Sequence, residues 1–598
     1  MKKILIFILI LVNITILFGI KIVSFSGEIL NGEFLSMTNT QLFFKVNGKV
    51  SKLPIQEIKN VEFSPEEKSN MFFSLVNNYT FKGILKKIEN DYFVFKNSEK
   101  TYRISKKDLK IIISKKRVES KILATNFGRF HFSPLEIISD KFWKVNTDYG
   151  ILILPSESIQ SSFRPNISSE NKNILYLTNG DYFFYDSISI KNSLFNFYIY
   201  NFSIQIQKSN ILFLKDHSFS PLKIKSKKLF RLNVNDKNYF LDNYEIKDNK
   251  IILENEIIKN PNIKFISNSI INLFILPDVF YSGISTYNEK LYVSGYSKNL
   301  YELSYSGKIL NKYNISSYSF DFPVIYNDNI YISNFRKNLT IVDLKSKKIK
   351  EVDISDPYSG VTILNENRYL IHLWSKYLYL IEKENIISSI NTTTSKRSPL
   401  IDYEGNIIDL DINGNLKKID KNFNIIFELS LNGKTDFYNI DIDNNIYING
   451  PDKTFTVLDK NGKMLFSYKM ENIPYSFPLI DNKTHTIYVT SKDLYLYALK
   501  DGKILWKSKV GYFSGTGVLT DKYVIINNLT HEILFINRNN GKIEKIFNLG
   551  YSHNLSMDKN GFLYCASSNG VIAIIDVNDN PINQYKFNIQ HTGNPNIK

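Results

Sequence analysis

Ser476-Phe-Pro-Leu-Ile, then Thr486-Ile-Tyr-Val, then Leu494-Tyr-Leu-Tyr-Ala-Leu-Lys-Asp-Gly-Lys-Ile-Leu-Trp506 is the stretch whose reading decides the fold. Tyr488 has an apolar residue on either side, Ile487 and Val489, so both faces of its strand are apolar. A strand of that kind is buried on both sides rather than half-solvated. Its position recurs as the column Tyr292, Tyr331, Tyr369, Ile408, Tyr447, Tyr488, Ile525 and Tyr564, with gaps of 39, 38, 39, 39, 41, 37 and 39 residues. The preceding residue is apolar in seven of the eight copies, Arg368 being the exception, and the following one in seven, Asp409 being the exception.

Each copy adds the same parts. A turn rich in Asn, Asp and Gly precedes the column, as at Glu404-Gly405-Asn406 and Asn560-Gly561. A second apolar strand follows about nine residues on, for example Leu300–Leu303, Leu416–Ile419 and Ile572–Ile575. A turn often holding Gly-Lys comes next, as at Gly462-Lys463 and Gly541-Lys542. With a closing strand and a first strand near Pro323, Pro399 and Pro478, each unit of about 40 residues holds four strands. Such units repeated radially predict a β-propeller of eight four-stranded blades over 281–588, leaving 589–598 as a tail.

The stretch around Tyr488 resembles a blade of the pyrroloquinoline-quinone-like (PQQ-like) propeller family, and the resemblance covers 281–588. Quinoprotein dehydrogenases of that family set a disulfide of adjacent cysteines and a Trp against the cofactor and hold a calcium. This chain has one cysteine, Cys565, and three tryptophans, Trp143, Trp374 and Trp506, so the family resemblance brings no cofactor with it. The nearest functional resemblance is to propeller lipoproteins of the outer-membrane β-barrel assembly machinery, without their lipid-bearing cysteine and with an added N-terminal array.

The first half repeats with a longer period. Leu53, Ile104, Leu154, Ile206 and Ile258 are spaced 51, 50, 52 and 52 residues apart, and Ile58, Leu109, Ile159, Ile211 and Ile263 each follow by five. Five all-β units of about 51 residues over 20–275 are expected, resembling small SH3-like or Sm-like barrels in tandem, with Ile270–Leu276 as a strand bridging the two halves. Tyr (38) and Phe (43) are abundant and Met (6) is scarce, which suits pleated surfaces, and little helix is expected.

Lys2 and Lys3 precede the apolar run Ile4 to Phe18, so 1–19 reads as a signal peptide or an uncleaved anchor. With no cysteine after that run, an exported, peripheral protein of the periplasm or cell envelope is expected, not a lipid-anchored one. The net charge of +17 is uneven: residues 281–598 carry 36 Lys and Arg against 32 Asp and Glu, leaving 39 against 26 for 1–280. A basic first half favours an anionic lipid or wall polymer, unless the excess is only compositional. No nucleic-acid partner is expected.

Asp409, Asp411, Asn413, Gly414, Leu416 and Asp420 match the twelve-residue calcium-loop pattern. Asn413-Gly414, however, falls where every copy turns, and Asn-Gly is a preferred hairpin turn, so a hairpin is expected and no metal. The seven histidines, His131, His217, His372, His485, His531, His553 and His591, show no metal-ligand spacing. There is no Gly-rich phosphate loop, no G-x-S-x-G and no H-E-x-x-H. No catalytic residue, cofactor or metal is assigned. The expected function is a non-catalytic scaffold whose propeller binds an envelope protein or peptide. The alternative is an enzyme, either a degenerate quinoprotein or a polysaccharide-acting propeller with Phe335, Tyr358 and Tyr512 as sugar-stacking rings.

Overall fold

The structure, a computed structural model, describes residues 20–596 apart from 25–27, 38–40, 47–48, 55–56, 64–70, 76–79, 89–91, 97–100, 106–108, 115–120, 138–141, 160–167, 201, 220–227, 268–270, 355, 358, 375, 394, 396, 432, 434–436, 514, 551, 553 and 585–593. The expected signal segment 1–19 lies outside the described residues. The described chain is all-β, with short 3-10 turns such as Ser156–Ser158 and Lys208–Asn210 and no α-helix. No helix among the described residues is long and apolar enough to cross a membrane. The chain divides into two compact units, 1–125 with 130–161, and 126–129 with 162–598.

In the first unit the strands Ile20–Ser24, Ile29–Met37, Gln41–Val46, Lys49–Pro54 and Ile58–Phe63 form one five-strand set, in which the first strand pairs antiparallel with both the second and the fifth. Met71–Leu75, Thr80–Ile88, Tyr92–Lys96, Thr101–Ser105 and Leu109–Ser114 repeat the order, again with the first strand paired to the second and to the last. The long second strand carries a register shift in each set, at Phe34/Ser36 and at Leu85/Lys87. A bulge bends a strand, and that bend lets one strand pair along its two ends with different neighbours. Leu42, Phe44, Leu85, Phe93 and Phe95 form the core, with Leu53, Ile58 and Ile104 packed half-buried against it.

The second unit opens with two further sets, Asn173–Leu177 through Ile211–Lys215 and Phe230–Val234 through Ile263–Ser267, each pairing its first strand with its last. Here the second strand is broken outright, into Tyr182–Tyr185 and Ser187–Lys191, and into Lys237–Leu241 and Glu245–Lys247. Leu53, Ile104, Leu154, Ile206 and Ile258 lie on the strands Lys49–Pro54, Thr101–Ser105, Gly150–Pro155, Phe202–Ile206 and Ile257–Lys259, the last member of a three-stranded meander each time. Leu154, Ile206 and Ile258 are buried.

From Ile271 to Gln584 the described chain builds eight antiparallel sheets of propeller type. The first is Ser285–Tyr287, Lys290–Gly295, Asn299–Ser304 and Ile309–Asn314, and five more follow the same order up to Lys503–Lys509. The innermost strand is short and buried, and the outermost alternates with solvent. Tyr292, Tyr331, Tyr369, Ile408, Tyr447, Tyr488, Ile525 and Tyr564 each lie on the second strand of their sheet, and all are buried. Cys565, beside the last of them, is fully buried, and burial pushes its thiol up to about 12.

The last two sheets each take one strand from elsewhere in the chain. Ile271–Ile275, expected as a strand bridging the halves, has a defined place in the propeller-type region. It is the outer strand of the eighth sheet, in register with Val571–Asp576 from Ile271 opposite Ile575 to Ile275 opposite Val571. Pro581–Gln584 adds a fifth strand to the seventh sheet beside Val518–Thr520. Tyr176, Tyr182, Phe213 and Phe265 of the preceding sets share one apolar cluster with Leu273, Ile525, Phe535 and Leu563. This common core explains why the compact unit begins near residue 162 and not where the sequence period changes.

Polar pins join neighbouring sheets. Glu302, with no solvent exposure, lies on the third strand of the first sheet. It accepts from Lys290 Nζ (2.6 Å), Asn311 Nδ2 (2.6 Å), Tyr313 Oη (2.7 Å) and Lys347 Nζ (3.1 Å), the last from a turn of the second sheet. Burial alone would raise its pKa, but these four donors outweigh that and hold it down at about 2, against an ordinary 4.5. A depressed carboxylate contributes stability above its unfolded pKa and loses it as pH falls through the folded value. Glu302→Gln is therefore expected to be less stable than wild type at pH 7, with the gap closing between about pH 4.5 and pH 2 in urea melts. A gap independent of pH across that window would reject the ionised assignment.

Candidate functional site

In an antiparallel four-stranded sheet, the loop between strands two and three and the loop leading to the next sheet lie at the same end. One face of the propeller-type region therefore gathers both loop sets. On it lies a small depression, open to solvent and lined by Phe320, Phe335, Ser359, Arg397, Phe477 and Asn554 among others. These residues come from loops some 40 positions apart, so only the radial repeat brings them together.

Phe320, Phe335 and Phe477 line this mouth, and further rings pack around them. Tyr318 meets Phe320 edge-on (5.2 Å, 88°) and lies 4.6 Å from Tyr296, and Phe320 meets Phe335 edge-on (5.2 Å, 77°). On the other side Phe437 meets Phe477 (5.0 Å, 88°) and Tyr475 (5.4 Å, 76°), and Tyr512 lies 5.7 Å from Tyr475. Cations cover several of these rings: Arg336 over Trp374 (4.9 Å), Arg397 over Phe437 (4.3 Å) and Lys492 over Tyr475 (4.3 Å). Burial raises the pKa of the Tyr318 and Tyr512 hydroxyls, which keeps them protonated and neutral. Phe335 and Tyr512, singled out in the sequence, belong to this rim, and Tyr358 lies outside the described residues. Arg397, Trp374 and Tyr475 carried no sequence signal, because nothing local marks a loop residue that meets its partner across sheets.

The residues of the calcium-like pattern go to separate places. Asp409 is buried and bonded to His372 Nε2 (2.5 Å), a contact between the second strands of the third and fourth sheets. Asp411 and Asp420 each cap a turn of their own. Asn413, in the first of these turns, only donates its backbone N–H to Asp411. The five-residue strand Asn415–Ile419 separates those two turns, about 17 Å of extended chain.

The match arises from a turn unit that, headed by Asp, is used six times among the described residues: Asp402–Asn406, Asp411–Asn415, Asp420–Asn424, Asp441–Asn445, Asp459–Lys463 and Asp558–Phe562. In each, one carboxylate oxygen accepts the N–H groups two and four residues on. The Asp N–H donates to the fifth carbonyl, and the fourth N–H returns to the Asp carbonyl. The fourth residue has φ between +64° and +85° in all six, supplied by Gly four times, by Asn444 and by Phe423. Asp441, Asp443 and His485 also approach one another, with ligand atoms within 4.8 Å. The Asp441 carboxylate is nonetheless already filled by the N–H groups of Asp443 and Asn445, the Asn445 amide and Tyr447 Oη.

No protein-family model and no curated protein matches the chain. Solved structures resemble about half of it. The computationally designed Ika8 protein aligns over 51% of this chain and 98% of its own, with a TM-score of 0.42 and 9% identity. BamB from Moraxella catarrhalis aligns over 51% of this chain and 91% of its own, with a TM-score of 0.32 and 14% identity.

If the carboxylates serve turns, Asp411→Ala and Asp441→Ala should each cost about 1–3 kcal/mol by stranding two N–H donors, and Asp443→Ala should cost little. Urea midpoints measured with added calcium and with a chelator should coincide for wild type. A midpoint that rises with calcium, and no longer does so in Asp411→Ala or Asp443→Ala, would show that one of these groups is a metal site.

Proposed function

We propose that the eight sheets are the blades of a closed PQQ-like ring, that the preceding sets are small SH3-like or Sm-like barrels, and that the protein is an exported, non-catalytic scaffold binding a protein or peptide on the loop face. The observation that carries the binding reading is the rim itself, where Phe335 and Arg397 line an open cavity and Arg336 bridges Phe335 to the exposed ring of Trp374. Trp, Tyr and Arg dominate the energetics of protein recognition. Ring closure is supported by the apolar cluster that Phe274, Tyr564 and Ile572 of the eighth sheet share with Leu291, Tyr301 and Leu303 of the first. Export is supported by Lys2, Lys3 and the apolar run to Phe18.

Two experiments test this reading. A peptide array probed with the full chain should select a set of sequences, and the double variant Phe335→Ala/Trp374→Ala should bind them at least tenfold more weakly at an unchanged melting temperature. Undiminished binding by the variant, or no selection by wild type, removes the loop-face assignment. For export, residues 1–25 fused to an alkaline phosphatase lacking its own leader should give active enzyme, and an inactive fusion retained in the cytoplasm would refute it.

A further inference from the structure

Four arginines lie between residues 281 and 598. Arg368 pairs with Glu382 and Arg538 with Asp481. The two on the loop face, Arg336 and Arg397, stack on aromatic rings instead.

Arg397 lines the mouth and is half-buried. Its guanidinium carbon lies 4.3 Å from the Phe437 ring centre and 5.1 Å from that of Phe477, and both rings belong to an apolar cluster with Phe322. Its Nε is buried with no hydrogen-bond partner among the described residues, and no carboxylate among them pairs with the guanidinium. Asp321, the acid lining the same cavity, accepts from Ser398 Oγ (2.9 Å) and from the Phe322 N–H (2.8 Å). A guanidinium held flat by rings is oriented without being neutralised. Its planar fork of donors matches a carboxylate in a bidentate pair, and a half-buried cation without a counter-ion gains most from one.

We propose that this mouth reads a carboxylate, with Arg397 gripping an acidic side chain or the C-terminal carboxylate of a bound peptide; this rests on the peptide-binding reading of the loop face. Ring geometry favours a peptide over a sugar. The Tyr318–Phe320, Phe320–Phe335 and Phe437–Phe477 pairs stand at 77° to 88°, so in these pairs ring faces meet ring edges instead of forming a run of open platforms. Ser319, Ser333, Ser359 and Asn554 line the same cavity, which gives it a polar wall beside the rings.

The test uses the full chain and fluorescein-labelled hexapeptides read by anisotropy: alternating Leu and Glu with an amidated C-terminus, alternating Leu and Gln amidated, and alternating Leu and Gln with a free C-terminal acid. At least one carboxylate-bearing peptide should bind tenfold or more tightly than the amidated Gln peptide, and which one does so identifies the source of the carboxylate. Arg397→Gln should abolish that preference, and Arg397→Lys, which keeps the charge but loses the planar fork, should restore only part of it. Should Arg397→Gln lower the melting temperature, Arg397→Met keeps the apolar stem on the two rings and must show the same loss. Equal binding of all three peptides would overturn the carboxylate assignment while leaving the peptide surface standing. Binding of oligogalacturonate with no peptide bound would overturn both.

Discussion

Five antiparallel residue pairs, from Ile271 with Ile575 to Ile275 with Val571, join positions three hundred residues apart. The order of the propeller-type region depends on them. Seven sheets draw their first four strands from consecutive chain, but the eighth contains only three of its own and takes its fourth, outer strand from Ile271–Ile275. Ile271, Leu273, Phe274 and Ile275 are all buried, and each such side chain contributes about 1.5–3 kcal/mol. Against this, the entropy of closing so long a span grows only slowly, by about 0.6 kcal/mol for each doubling of loop length. The same strand ties the last sheets to the two sets that precede it, through the cluster containing Leu273, Tyr176 and Phe265.

What the sequence discloses and conceals follows from the range of the interactions concerned. The column from Tyr292 to Tyr564 is legible because a strand buried on both faces must be apolar at three successive positions, and that signal is local. The meander positions Leu53 to Ile258 are legible for the same reason, though more weakly, since these strands bury mainly one face. The partner of Ile271–Ile275 is not legible, because an apolar strand looks the same whichever edge it joins. The five-residue turn unit was visible as turns rich in Asn, Asp and Gly and, from Asp409 to Asp420, as a match to the calcium-loop pattern. Two of its copies, at Asp411 and Asp420, sit nine residues apart because a short strand links two turns, and that spacing places acids where a calcium loop has them.

The loop face is the part least open to sequence reasoning. Arg397, Phe437 and Phe477 are separated by 40 residues each and meet only because successive sheets present corresponding loops to a common centre. The buried His372–Asp409 pair beneath them links adjacent sheets in the same way, and the His372 N–H donates to Ser359 Oγ on the cavity wall. The mouth is thus continuous with the polar pins that hold the sheets in place. Its shape is inherited from the packing below it.

Cys565 gives this architecture a practical property. The thiol is the only one in the chain, is fully buried between apolar neighbours, and keeps its proton because burial pushes its pKa up to about 12. Thiolate is the reactive form, so alkylating reagents find no target on the folded surface. Any cysteine placed on a loop by mutagenesis becomes a unique chemical handle without prior removal of the native one. Dyes, spin labels and photo-crosslinkers then become single-site probes of whatever approaches the rim.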